Sequence, residues 1–457
     1  MIMTEPITAL ATLKEWQEFA RAHPQVEALD AFIIDVNGNT LGKRLSVADA
    51  HKAFTDGVQF SSCALIADVR GLGHNVQGMG ATDGDPDGTA LPLSGTLHLV
   101  PWTRSPTAQV LCSMRHAAAH EPFWFDPREV LAAAVERCRA AGVHPVVACE
   151  LEFYLLDPSR SADGGITLAP IPGRSGPPRR AANLSMEAIE ESSVFLNAVT
   201  AAAEEQSVPV CGAVAEYGIG QYEVNLRHVK DPVLAADHAV LLRRIVKGVA
   251  QSMGMLASFM AKPFARQPGS GLHVHVSITD AAGANRFGLE GGELLLKQAV
   301  AGMQATMFDS VGFCAPNFNS YRRYLGPFVP TTRDWGHNNR AVAFRVPAAQ
   351  GPGRRVEHRV AGADASPHLV VAAILAAVLH GLNERLTPTE PAVGRVKSGP
   401  DPAFPNGLQA ALERLERSSL LSAYIPERYL QLFAELKRKE YAAVIAELFI
   451  QEFDFYL

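Results

Sequence analysis

Five short segments of this 457-residue chain alternate apolar and polar residues, and in each the chemically active side chains share one parity. In Val146 to Tyr154 the odd positions are apolar, so Glu150 and Glu152 lie on one face, opposite Cys149, Leu151 and Phe153. His273, His275 and Ser277 share a face within Gly271 to Ser277, and Glu223 and Asn225 share one within Gln221 to Leu226. Arg345 opposes apolar neighbours in Val342 to Val346, and Arg355 and Arg359 flank Glu357 on one face. A period of two reads as half-buried strand. A solvated outer face would explain any one segment alone. Solvated faces mix Thr, Lys and Gln, however, whereas these carry Glu and His on some strands and Arg on others.

If those faces converge, the carboxylates cannot all stay ionised without counter-charge. Divalent metal together with arginine would supply it. A ligand set of mostly carboxylates with histidine favours hard Mg2+ or Mn2+ over zinc. Arginines beside it suit a triphosphate and a carboxylate substrate. The chemistry implied is metal-assisted phosphoryl transfer, in which positioning and charge neutralisation dominate. Gly269-Ser270-Gly271 and Gly351-Pro352-Gly353 lack the GxxxxGK[ST] pattern, which argues against a P-loop.

The balance of 41 basic and 47 acidic residues, with no basic stripe, excludes a nucleic-acid partner. The start, Met1 to Trp16, lacks the order of a signal peptide. The longest apolar run, Leu369 to Leu379, is far short of the roughly 20 residues a membrane span needs, so it reads as a core helix. Six scattered cysteines without a CxxC pair read as reduced thiols of a cytoplasmic protein.

Asn37-Gly38 between apolar runs predicts a hairpin, and residues 1–120 read as a small β-rich domain. A second domain, 121–457, starts where Asp126 caps a helix with Pro127 at its first position and Glu129 placed for a capping box. Gly71 to Gly95 and Asp157 to Arg180 are turn-rich and predicted to be loops. Pro232 to Met255 and Pro367 to Arg385 read as long helices, and Gly407 to Leu457 as two or three amphipathic ones.

Phe259-Met260-Ala261-Lys262-Pro263 followed by Gly269-Ser270-Gly271-Leu272-His273-Val274-His275 resembles the signature of the type I glutamine synthetase family. Glu150-Leu151-Glu152-Phe153, Glu216 with Glu223, Asn319 to Arg323 and Arg355 to Arg359 match further motifs in the family's order. The resemblance implies an α+β fold: an N-terminal β-grasp domain, then a larger catalytic domain whose antiparallel sheet carries the active site. It also implies a homo-dodecamer of two stacked hexameric rings, with active sites between neighbouring subunits. By position, Glu152, Glu216 and Glu223 would bind one metal, and Glu150, His273 and Glu357 another, for two or three Mg2+ or Mn2+ ions per site. Arg323 and Arg359 fall where the family grips glutamate, with Gly269 and His273 alongside. Arg340, Arg345 and Arg355 fall where it handles ATP phosphates and the transferring phosphoryl group, with His275 and Ser277 near the nucleotide. The implied reaction is ATP-dependent activation of glutamate to γ-glutamyl phosphate, followed by amine attack.

The nucleophile end departs from that pattern. Val329 stands where ammonium-using members carry a glutamate, and Val58-Gln59-Phe60-Ser61-Ser62 lacks the family's Asp. Ala181 to Ser185 lacks an expected tyrosine, and Pro268 replaces an Asn. Selecting NH4+ needs negative charge. A pocket that loses acids and gains valine suits an amine with a carbon chain, at about 0.8 kcal/mol per buried CH2. Glu357 to Ala365 also resembles the glutamate–amine ligase branch, the γ-glutamylpolyamine and γ-glutamylmonoamine synthetases. Glu187, Glu190 and Glu191 could receive a polyamine's distal ammonium, although a solvated helix face explains them equally. An ammonium-using synthetase and a non-catalytic relative are the competing expectations.

Overall fold

In the computed structural model, the Asn37-Gly38 turn closes the expected hairpin. Gly38 takes φ +75°, and the Asp35 carboxylate accepts from the backbone N–H of Asn37 (2.9 Å) and Asn39 (2.7 Å). The structure describes residues 9–117, 121–161, 164–171, 176–326, 328–394 and 399–447. The hairpin strands are β1 (Ala28–Ile34) and β2 (Thr40–Ser46). They begin a six-stranded sheet with β3 (Val58–Ser61), β4 (Asp87–Pro92), β5 (His98–Leu99) and β6 (Thr107–His116). Its order is β2-β1-β6-β4-β3, with β5 on β6, and β1 and β6 run parallel. β4 lies inside the stretch predicted to be loop. Its glycine- and aspartate-rich flank hides the strand, which is held between β3 and β6 with Ala90 fully buried.

The helix Pro127–Ala140 begins as predicted, Asp126 accepting from Arg128 N–H at 2.8 Å. Glu129 does not close a capping box; its carboxylate accepts from Ser113 Oγ instead.

A nine-stranded sheet follows, built from β7 (His144–Arg160), β8 (Ile166–Leu168), β9 (Val210–Ala215), β10 (Gln221–Leu226), β11 (Leu256–Ser258), β12 (Leu272–Thr279), β13 (Trp335–His337), β14 (Phe344–Val346) and β15 (Val356–His358). The order is β13-β14-β15-β12-β7-β10-β9, antiparallel except for β13 with β14. β7 continues through Arg160, four residues into the predicted loop, because β8, itself inside that stretch, pairs with its end, while β11 pairs with Tyr154 to Leu156. Residues 162–163 and 172–175 of that stretch lie outside the described residues.

Helices Pro232–Ser252, Gly292–Cys314 and Pro367–Asn383 bury one shared core with the sheet, and every residue of Leu369 to Leu379 is buried. Gly302 and Gly381 let two of these helices touch backbone to backbone; a Cβ on either would collide with the other helix's carbonyls. Among the described residues no helix is long and apolar enough to cross a membrane. All six cysteines are free, and Cys211 alone of them is exposed. The tail forms helices Leu408–Arg417, Ser419–Ser422 and Glu427–Ile445; residues 448–457 lie outside the described residues. The last helix returns to the first hairpin: buried Lys437 donates to Asn37 Oδ1 at 2.6 Å and Asn317 Oδ1 at 3.1 Å.

Candidate active site

Register places the polar faces side by side. His273 pairs with Glu150, Glu150 with Asn225 and Glu152 with Glu223, while Glu357 lies between His275 and Arg345. In antiparallel sheets directly opposed residues point the same way. The five parities therefore add up to one face.

That face opens into a cavity of about 600 Å3. Glu150, Glu152, Glu216, Glu223, Gly269, His273, His275, Arg323, Arg340, Arg345, Arg355, Glu357 and Arg359 all line it. Ser277 does not. It pairs with Val146, four residues along β7 from Glu150, and so stands away from the opening. Arg323 and Gly269 arrive from outside the strands: the short helix Ser320–Arg323 delivers Arg323, whose Nη1 donates to Val360 O at 2.8 Å. Gly269 has no room for a side chain, since a Cβ would press on Ala261 O and the Arg323 stem.

At one end the charges are already matched. Arg345 Nη1 donates to Glu357 Oε2 at 2.7 Å, and Arg359 donates to Oε1. Burial works against ionising Glu357, yet the Arg359 guanidinium holds its carboxyl down at about 2. Arg355 Nε donates to His275 Nδ1 at 3.0 Å, which leaves the ring proton on Nε2, 2.8 Å from Glu150. Burial would raise Glu150 as well, but His275 and His273 beside it keep it well below the carboxylate range.

Glu152, Glu216 and Glu223 are different. Their ligand oxygens lie within 4.8 Å of one another, and among the described residues no lysine or arginine pairs with them. Burial and then the charges of Glu150, Glu152 and Glu216 push Glu223 up to about 9; burial and Glu152 push Glu216 to about 7. Three carboxylates facing one another, Glu223 buried and Glu152 and Glu216 half-buried, fit a divalent cation. The second expected set is arranged differently here. His273 closes with Glu150 and Glu223, and Glu357 closes with Glu150 and His275.

The cavity is also lined by Tyr217, Pro268, Phe328 and Val329, and by Val214, which stands opposite Glu223. Tyr217 and Phe328 were not singled out from the sequence, and no periodicity marks them. Being next to Glu216 and Val329 in the chain was the one available signal. Of the three glutamates considered for a distal ammonium, Glu187 and Glu191 rim a neighbouring cavity of about 500 Å3 with Arg179 and Arg180. Glu187 is already paired with Arg180 at 2.7 Å.

A sheet face that gathers carboxylates, histidines and arginines around one cavity defines a site for handling polyphosphate with divalent cations. The family described as glutamine synthetase, catalytic domain, matches residues 125–456, and the chain belongs to the glutamine synthetase family. It is 37% identical to gamma-glutamylputrescine synthetase PuuA of Escherichia coli (strain K12), over 94% of this chain and 91% of that protein. It is 33% identical to glutamate--isopropylamine ligase of a Pseudomonas species, over 92% of each. A solved structure described as a GmaS/ADP complex shares the fold with TM-score 0.81 at 24% identity, covering 96% of this chain and 98% of that one.

Proposed function

We propose that the protein is an ATP-dependent ligase joining the γ-carboxylate of glutamate to an organic amine through γ-glutamyl phosphate. The observation that carries this reading is the asymmetry of one cavity. It is lined by the carboxylates, histidines and arginines expected for phosphoryl transfer and also by Val329, Phe328, Tyr217 and Pro268, where an ammonium site would want an acid. The two relatives at 33% and 37% identity, both named for amine substrates, support it.

Glu152, Glu216 and Glu223 would hold one Mg2+ or Mn2+, and Glu150, His273 and Glu357 the elements of a second. Bound there, the ions neutralise phosphate oxygens. Arg345 and Arg359, fixed by Glu357, present guanidinium N–H groups to the transferring phosphoryl group and to glutamate. Arg340 and Arg355 serve the ATP phosphates from the cavity wall, and Arg323 serves the glutamate carboxylate. His275, with its tautomer set by Arg355, holds Glu150 in place. Residues 1–120 form the smaller domain of a cytoplasmic dodecamer of two six-membered rings. The described residues that line the cavity all come from position 150 onward, which supports a site shared with a neighbouring subunit.

The test is phosphate release with ATP, Mg2+ and glutamate across ammonium, methylamine, isopropylamine, ethanolamine, putrescine and spermine. One organic amine should outperform ammonium clearly in kcat/KM. Turnover with ammonium alone would overturn the reading.

A further inference from the structure

The cavity wall holds an exposed aromatic pair. Tyr217 and Phe328 are 51% and 60% exposed, unlike the buried aromatics of the core. Their ring centroids lie 5.2 Å apart with planes 30° from parallel, and both rings line the cavity. Phe328 adopts φ +65°, a left-handed conformation that bulky side chains avoid and that concentrates at ligand clamps.

Each ring is placed by local structure. The Tyr217 N–H donates to Glu216 Oε2 at 3.2 Å, and the next N–H, of Gly218, donates to Gln221 Oε1 at 2.9 Å. A side chain at Gly218 would run into the Tyr154 hydroxyl, so the backbone must pass bare here for Tyr217 to face the cavity. That hydroxyl donates to Pro268 O at 2.8 Å and so fixes the adjoining wall. Val329 follows Phe328 directly and also lines the cavity.

We infer that Tyr217 and Phe328 form the subsite for the acceptor's carbon chain, taking a primary alkylammonium between ring faces and apolar walls. This rests on the ligase reading above. Aromatic faces attract an organic cation, and apolar walls bury its methylenes, whereas ammonium offers nothing to bury. Recognition falls on the carbons next to the nitrogen. The neighbouring cavity, rimmed by Arg179 and Arg180 against Glu187 and Glu191, offers mixed charge rather than an acidic patch for a second ammonium.

The experiment uses full-length Tyr217→Ala, Phe328→Ala and Tyr217→Phe with methylamine, n-propylamine, n-butylamine, putrescine and ammonium. KM for the longer amines should rise about tenfold in each alanine variant, and least for methylamine. KM for glutamate and ATP should stay within about twofold, and Tyr217→Phe, which keeps the ring, within about twofold throughout. Unchanged amine KM values in both alanine variants overturn the subsite and leave the ligase reading standing. A rise shared equally by glutamate and ATP overturns it as general damage. A change in native mass with amine KM unchanged overturns it by assigning the pair to subunit contact. A wild-type protein that uses ammonium alone overturns subsite and ligase reading together.

Discussion

The two ends of the cavity are built from different materials. Much of the phosphoryl end is carried on β7, β10, β12, β14 and β15, where register places Glu357 between Arg345 and His275 and Glu150 beside His273. Glu216, Arg340, Arg355 and Arg359 lie just outside those strands. The acceptor end is carried by loops, with Tyr217, Pro268, Phe328 and Val329 all outside named strands. Strands hold chemistry to sub-ångström placement, and loops vary without disturbing the scaffold. One end can thus keep a reaction while the other changes what the reaction accepts.

The sharpest break of that contrast comes at Glu357. Glu357→Gln removes the anion that organises Arg345 and Arg359, and kcat should fall about 1,000-fold with native mass unchanged. Full activity would void the assignment of the phosphoryl end.

Metal binding should show the unpaired carboxylates of the same end. Mg2+ displaces the protons held by Glu223 and Glu216, so its affinity should rise about tenfold per pH unit between pH 7 and 9, and more steeply below 7. Calorimetry across that range measures the slope, and a flat profile refutes it. The same two groups set a sign for stability. Their folded pKa values are raised, so the metal-free native state holds more protons than the unfolded chain. Their contribution is complete below the ordinary value of 4.5 and is lost as pH rises through about 7 and about 9. Thermal melts in chelator should therefore fall across that window, and Mg2+ should cancel the fall.

At the acceptor end, Val329→Glu restores an acid to an apolar wall. Ammonium kcat/KM should rise about tenfold while that for the best organic amine falls by a similar factor. Movement of both in one direction would show that Val329 does not set the preference. The smallest effect belongs to Ser277, which shares a strand face with the histidines yet stands outside the cavity. Ser277→Ala should leave KM for ATP within about twofold, and a larger change would extend the site along β12.

The sequence by itself determined which residues share a face, because a strand's period of two needs no partner to be read. That is why Glu150, Glu152, Glu223, His273, His275, Arg345 and Glu357 were legible, together with the Asn37-Gly38 hairpin and the helix starting at Pro127. Tertiary structure alone decided how far those faces extend and what meets them. β4 exists because β3 and β6 pair with it, and the outer half of β7 because the distant β11 and the nearby β8 do, overriding glycine-rich and proline-containing stretches. His273 groups with Glu223 because β7 brings β12 and β10 to its two edges. Tyr217 and Phe328, 111 positions apart, meet through loop conformations that carry no period. Local repetition encodes the face of a strand, but contact between loops depends on where the whole chain has folded.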